Sequence, residues 1–457
     1  MNKRVGNMVK LPKKICSTKI FFSSFACSII IAAASLCQAH SRVVDLETAL
    51  SIADSANPEI RSGLSRIREQ QQRRIQVKSN LLPQVSASAS YARLGLTPPG
   101  KKYLLGASNN DIYTDVTVKQ LVFDGGKYKY QISATDTLTK AGEQKLSQAR
   151  RNIRLAVATA YYETVKAKYA VTVQRELIQR MQAQVNIAEL LFDGGKNSSL
   201  DVVRLRTQVL TAQGQLNTLE SQVRAKQYRL AQAMGIRDTC IVADSVMPQQ
   251  QDNEIQIDES SLAKELDETP ELSVAQAQYG KSLLDERVIK ADYLPTVSVN
   301  AGYNFEGSTF MVNQPSGVVT KNPNWTIGAS VTVPVYRGGG VRSQEAQAHE
   351  RVEQAADAVE QTKVNLTARL RSSIESINDK REKIITAKQI LESADETVRT
   401  AELRYSTGKL SAFELIDAQN VFVRAQQDFF NARVDYRIAL EELAVLCPSI
   451  LKGEDKK

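Results

Sequence analysis

The sequence predicts a mainly helical chain that also carries strands of a membrane β-barrel, built from two structural repeats. Three observations predict it. Two stretches, 84–123 and 296–336, hold runs that alternate strictly between apolar and small polar residues. Two others, 127–191 and 341–405, run on with helical spacing and no proline. Landmarks recur at a fixed offset: Pro58 and Pro270, Pro83 and Pro295, and Tyr91 and Tyr303 lie 212 apart. Gly125 and Gly338, Gly195 and Gly408, and Arg224 and Arg437 lie 213 apart. So many landmarks at one offset, with a single-residue slip, mark a duplicated unit.

The N-terminal 39 residues read as a secretory signal peptide. Lys3, Arg4, Lys10, Lys13, Lys14 and Lys19 give a basic region, 20–36 is apolar, and Cys37-Gln38-Ala39 supplies small residues for cleavage after Ala39. The apolar run is shorter than the ~20 residues a spanning helix needs. The formal net charge of +9 loses those six basic residues and falls to about +3, so the basic balance is not a nucleic-acid footprint. Cys16, Cys27 and Cys37 leave as well. Cys240 and Cys447 remain, and an oxidising compartment allows a disulfide between them or two unpaired core thiols.

Taken in order, the first repeat covers 40–235: helices over 43–82, a hairpin over 84–123, a long helix over 127–191 and a return helix over 198–235. Asn57-Pro58 interrupts the first helical stretch, because proline suits only the first turn of a helix. In the long helix, Ile153, Val157, Ala160, Ala167 and Val171 step by three and four, a narrow coiled-coil-like stripe. Residues 236–258 are polar and read as a connector. The second repeat covers 259–447, with helices over 261–294, a hairpin over 296–336, a long helix over 341–405 and a return helix over 411–447. Residues 448–457 form a charged tail.

The hairpins carry the functional argument. Val85, Ala87, Ala89 and Tyr91 alternate with Ser86, Ser88 and Ser90; Val297, Val299, Ala301 and Tyr303 alternate with Ser298, Asn300 and Gly302. A period of two puts the apolar set on one face and the small polar set on the other. That pattern fits strands with lipid outside and water inside. Open edges are not viable in lipid, and four strands are too few to close a conducting barrel. Several chains sharing one barrel solve this, and three chains would give twelve strands. Tyr91, Tyr303 and Trp325 lie where membrane interfaces favour aromatics. Helices of roughly 100 Å would then continue the barrel as a hollow periplasmic cylinder.

The repeat offset, the Asn57-Pro58-Glu59 of the first helix pair, the Leu-Pro entering each hairpin and the Gly-Gly turns together resemble the TolC family of outer-membrane efflux and secretion channels. The resemblance implies a homotrimer in outer-membrane lipid of a Gram-negative bacterium, with a twelve-stranded barrel and a long α-helical tunnel. It also implies a tunnel end that is closed until a periplasmic adaptor (membrane fusion) protein and an inner-membrane transporter dock. The tips at 192–201 and 405–417 would form that end, with Gly194, Gly195 and Gly408 in the turns. Glu414 and Asp417, spaced i, i+3 on one helix face, resemble the family's acidic pore constriction. The competing reading makes them solvated helix-start acids that favour the N-terminal dipole. Asp201 and Tyr405 resemble the family's entrance latch, with Lys409 as substitute because Leu410 stands where an arginine could have bridged to an acid.

Nothing in the chain resembles a catalytic set, and His40 and His349 are the two histidines. The Gly-Gly-Lys at 125–127 and 194–196 is followed by Tyr128 and Asn197, which is not a phosphate loop. No cofactor, metal or nucleic acid is expected. The alternative reading is a soluble periplasmic coiled-coil adaptor or structural protein; it accounts for the helices but not for two alike hairpins. A classical porin does not fit the helical content.

Overall fold

A computed structural model describes residues 42–93, 110–196, 198–237, 241–243, 259–308 and 322–452. The signal peptide, Cys240, most of the connector and the end of the tail lie outside the described residues. The order is β1 (Arg42–Val44), α1 (Leu46–Ala56), α2 (Pro58–Ser79), β2 (Gln84–Arg93), β3 (Asn110–Phe123), α3 (Lys127–Asp193), α4 (Ser199–Met234) and β4 (Ile241–Ala243). Then follow α5 (Glu259–Glu265), α6 (Pro270–Lys290), β5 (Thr296–Ser308), β6 (Asn322–Thr332), α7 (Gly340–Ser406), α8 (Ala412–Leu446) and α9 (Ser449–Lys452). The chain is mainly helical, with one four-stranded sheet and a separate short parallel pair, β1 with β4.

Local chemistry sets the boundaries. Asn57 caps α2 by accepting from the Glu59 N–H at 2.8 Å, with Pro58 just inside the helix. The same side chain donates Nδ2–H to the Ala233 carbonyl at 3.1 Å, tying α2 to the end of α4. Helix α2 stops at Ser79, not at residue 82, because the residue before Pro83 is driven out of helical backbone and 80–82 form a turn. The helical stretch 261–294 is likewise divided: Thr269, extended at ψ 141° ahead of Pro270, separates the turn Leu266–Glu268 from α6. Strand β6 ends at Thr332, and 333–337 lie outside any strand because Pro334 lacks an N–H and no strand of this chain lies on that side.

The two long helices α3 and α7 have 67 residues each, about 100 Å at helical rise. Each starts on a left-handed glycine, Gly126 (φ 84°) or Gly339 (φ 77°). At α3 the Asp124 carboxylate also accepts from the N–H groups of Gly126 (3.0 Å) and Tyr128 (2.7 Å). The narrow stripe expected on α3 proves too narrow. Tyr161, Tyr162 and Val165 are buried too, since α3 lies against α2, α4, α6 and α8 at once.

Strands β2, β3, β5 and β6 form one antiparallel sheet in that order. The β3–β5 pair joins the two repeats, leaving β2 and β6 as edges. The register keeps the repeat offset: Val85 faces Val118, and Val297 faces Val331. The helix joints repeat as well, with the carboxylate moved to the other helix of the pair. Arg74 on α2 meets Asp136 on α3 at 2.5 Å, and the equivalent Glu286 on α6 lies 4.0 Å from His349 on α7.

The core is strung along the rod as separate clusters. One joins α1, α2, α4 and the middle of α3; another joins α5, α7 and α8; a third sits where both helix hairpins end. Near the middle, Glu163 on α3 meets Lys226 on α4 at 2.7 Å, and Lys166 meets Asp435 on α8 at 2.9 Å. Burial pushes the Glu163 carboxyl up, but the Lys226 hydrogen bond and the two lysine charges outweigh it and hold it below its ordinary value. Cys447 is a buried free thiol that donates to the Leu262 carbonyl at 3.7 Å; burial pushes its pKa up to about 11.

Candidate functional site

The sheet has two chemically different faces. Cross-strand rows on one face read Ser86, Thr117, Gly302 and Thr326, then Ser88, Asp115, Asn304 and Asn324. Their hydroxyls bond one another: Ser86 Oγ lies 2.7 Å from Thr117 Oγ1, Ser298 Oγ lies 2.8 Å from Ser330 Oγ, and Ser88 Oγ donates to Asp115. Rows on the other face read Val85, Val118, Ala301 and Ile327, then Ala87, Val116, Tyr303 and Trp325. Tyr303 and Trp325 face each other across β5 and β6, while Tyr91 faces Ile112. All three aromatics are well over half exposed or close to it, Trp325 at 69%. Every residue of β2 is exposed, and among the described residues no helix covers either face of the sheet. An apolar face of this size has no place in water. Lipid on that face and water on the other satisfy both. No described helix is long and apolar enough to cross a membrane.

The other end of the long helices holds the remaining predicted residues. Helices α3 and α7 close with the same backbone motif. Gly195 (φ 68°) and Gly408 (φ 74°) are left-handed. The Lys196 N–H reaches the Leu191 carbonyl at 2.8 Å, and the Lys409 N–H reaches Arg404 at 2.9 Å. Gly194 differs: its φ is −80°, close to the −93° of its repeat equivalent Thr407, so the turn does not require glycine there.

Each return helix opens on a serine cap. Ser198 Oγ accepts from the Leu200 N–H at 3.2 Å. Ser411 forms a full capping box: its Oγ accepts from the Glu414 N–H (3.3 Å), and Glu414 Oε2 accepts from the Ser411 N–H (3.1 Å) and Oγ–H (2.8 Å). The Ser411 hydroxyl and then its N–H hold the Glu414 carboxyl below the usual glutamate range. Asp417 is exposed one turn further along α8. Glu414 is therefore a helix cap, and it remains exposed. The cap is legible in the sequence as Ser411-x-x-Glu414.

Asp201 is the repeat equivalent of Glu414. Its carboxylate, 19% exposed, lies 3.9 Å from Arg204 on its own helix. Tyr405 is 1% exposed, packed with Met181, Val185, Leu205 and Leu415 where the two helix hairpins meet. Lys409 is exposed beside it, and Leu410 turns inward onto the same cluster. Sequence reasoning missed a set of exposed apolar residues at these tips. Leu190 (73%) and Leu403 (68%) are repeat equivalents, as are Leu200 (54%) and Phe413 (68%). Their recurrence at the 213 offset was the available signal.

Ser411→Ala tests the cap. The Glu414 carboxyl should return upward toward its ordinary value, followed by the carbon chemical shift of the labelled side chain. Because the folded value is depressed, the cap's contribution is present above the ordinary glutamate pKa and is lost as pH falls through the lowered one. Ser411→Ala should flatten that acid-side loss.

Among the described residues no group of three or more His, Cys, Asp or Glu could hold a metal ion. Residues 49–236 and 262–447 match the family model described as outer membrane efflux protein. The chain is 24% identical over 393 residues to the outer membrane protein TolC of Escherichia coli K12, covering 84% of this chain and 78% of TolC. It is 21% identical over 400 residues to the pyoverdine export outer membrane protein OpmQ of Pseudomonas putida, covering 84% of this chain and 81% of OpmQ. Its fold matches the Campylobacter jejuni CmeC outer membrane channel with a TM-score of 0.73 at 17% identity, over 90% of this chain and 89% of that one.

Proposed function

The chain belongs to the outer membrane efflux protein family and is an outer-membrane efflux channel, and from that premise we propose how it works. Three copies each contribute four strands to one twelve-stranded barrel, and their long helices continue it as a periplasmic tunnel. The tunnel serves as the exit duct of a tripartite efflux pump or type I secretion system. It has no chemistry of its own; an inner-membrane transporter supplies the energy, and a periplasmic adaptor docks on the helix tips. Glu414 and Asp417 of three copies ring the entrance and favour cations. Asp201, Tyr405 and Lys409 belong to the contacts that keep it shut, and the exposed Leu190, Leu200, Leu403 and Phe413 form an apolar surface for the docking partner.

The single observation that carries this reading is the sheet: one hydroxyl-lined face, one apolar face, and no cover for either among the described residues. The soluble-adaptor alternative is not favoured, because it leaves that apolar face in water. Single-channel recording from the purified chain in a planar bilayer tests the proposal. Small, discrete, cation-selective openings are expected. A properly inserted multimer that stays silent even after Tyr405→Phe loosens the tips would count against a gated duct.

A further inference from the structure

We propose that a cleft in the seam between α3 and α8 binds a small organic ammonium compound, a protonated amine on an apolar body. The cleft lies where 173–180 of α3 meet 419–426 of α8, each helix turning one face to it. Helix faces with residues stepping by three and four normally close as an apolar seam. On either side of the cleft they do. Toward the sheet, Tyr169 stacks on Phe430 with ring centres 3.7 Å apart. Toward the tips, Met181 and Leu415 are fully buried in one cluster. Between them the seam opens into about 230 Å³, a volume that includes the open mouth. Pockets for drug-sized ligands run to ~300–1,000 Å³, so the occupant is small. The cleft lies within one copy of the chain, and its occupancy does not depend on the duct reading.

Gln419 is the residue that points to a ligand. It stands among Leu415, Ala418, Phe422 and Ala425 on the buried stripe of α8, and it is 1% exposed. Its Nε2–H donates to Glu402 on α7 at 3.4 Å, while its Oε1 has no partner among the described residues. A buried carbonyl without a donor is costly, and a leucine at this position would avoid the cost. The acceptor is therefore open to a donor that enters the cleft.

The surroundings select the rest of the molecule. Val173, Leu177 and Phe422 are buried walls, against which an apolar body gains dispersion contact. Glu176 is exposed at the mouth and forms no ion pair among the described residues. Glu402 sits beside Gln419 through their hydrogen bond. Against these two carboxylates stands one guanidinium, Arg180, which lies over the Phe422 ring at 5.1 Å. A neutral donor satisfies Gln419 alone. An anion satisfies Arg180 alone and leaves Gln419 unpaired. An ammonium donates to Gln419 Oε1 and carries the charge that the two carboxylates favour.

The test titrates the full chain in detergent with benzylamine by ligand-observed NMR, beside benzyl alcohol and benzoate as neutral and anionic partners of the same size. Benzylamine should bind with a Kd of about 1 mM or tighter, and about tenfold or more tighter than benzyl alcohol, with benzoate weakest. Gln419→Leu should weaken benzylamine about tenfold or more, with thermal unfolding no earlier than in wild type. Two variants at the exposed mouth guard against a folding defect. At low salt Glu176→Gln should weaken benzylamine about threefold, and Arg180→Gln should strengthen it by about the same factor. Crystals soaked in 4-bromobenzylamine should place the bromine signal in the cleft. Equal binding of all three compounds, or benzylamine binding untouched by Gln419→Leu, overturns the site. Preference for benzoate overturns the ammonium assignment and gives the cleft to Arg180. No saturable binding of benzylamine overturns it as well and leaves Gln419 Oε1 to water.

Discussion

Gly235→Ala is expected to lower the stability of the folded chain by about 3 to 5 kcal/mol, the largest effect of any alanine substitution at a described glycine. Gly235 ends α4 at φ 74°, which costs an L side chain ~1–2 kcal/mol by itself. The added methyl would also lie 2.7 Å from Pro58 Cδ and 2.8 Å from Asn57 Cα. The second of these is backbone and cannot rotate away. Moving it pulls Asn57 off both its bonds, the cap on Glu59 and the tie to Ala233. Gly214 supplies the control. It lies mid-helix in α4, exposed, with nothing within 4 Å of an added Cβ. Gly214→Ala should raise stability by ~0.5–1 kcal/mol through helix propensity. Thermal unfolding followed by circular dichroism reads both. Equal small effects would show that the contact between α2 and the end of α4 is loose in solution.

That glycine also shows what the sequence makes legible. The alternating strands, the prolines before each hairpin and the 212 and 213 offsets are local or periodic signals, and the fold class follows from them. The tightness at Gly235 is not local. Gly235 reads as an ordinary helix stop, and only the approach of Asn57, 178 positions earlier, makes it intolerant. Asp124 is a similar case. It reads as a turn residue, yet its carboxylate fastens the start of α3, while the equivalent Arg337 offers no acceptor at the start of α7. The narrow stripe on α3 under-described that helix for the same reason. A helix touched on several sides shows no clean polar face to mark its neighbours. At the tips, Gly194 and Gly195 look interchangeable in sequence, and only backbone angle separates them.

Removing both tip acids, Glu414→Gln with Asp417→Asn, is expected to lower the cation-to-anion permeability ratio of the open channel by a factor of about five or more. In the proposed trimer three copies place six carboxylates around one opening, so the pair change removes the whole ring at once. The single variants separate the cap formed by Glu414 from the constriction role proposed for both residues. Glu414→Gln also strips the acceptor from the Ser411 capping box, so it should cost stability as well as selectivity. Asp417, exposed one turn beyond, has no part in that cap, and Asp417→Asn should change selectivity at nearly constant stability. The pH dependence is a third discriminator. Ser411 holds the Glu414 carboxyl below its ordinary value, so Glu414 keeps its charge to lower pH than a free glutamate. A channel with Asp417→Asn then relies on Glu414 alone. Its cation preference should persist below the ordinary glutamate range and vanish only as pH falls through the depressed value. Adding Ser411→Ala should move that loss to higher pH. Reversal potentials in a salt gradient measure each step. A double variant as cation-selective as wild type would place the constriction elsewhere along the tunnel and leave Glu414 a helix cap alone.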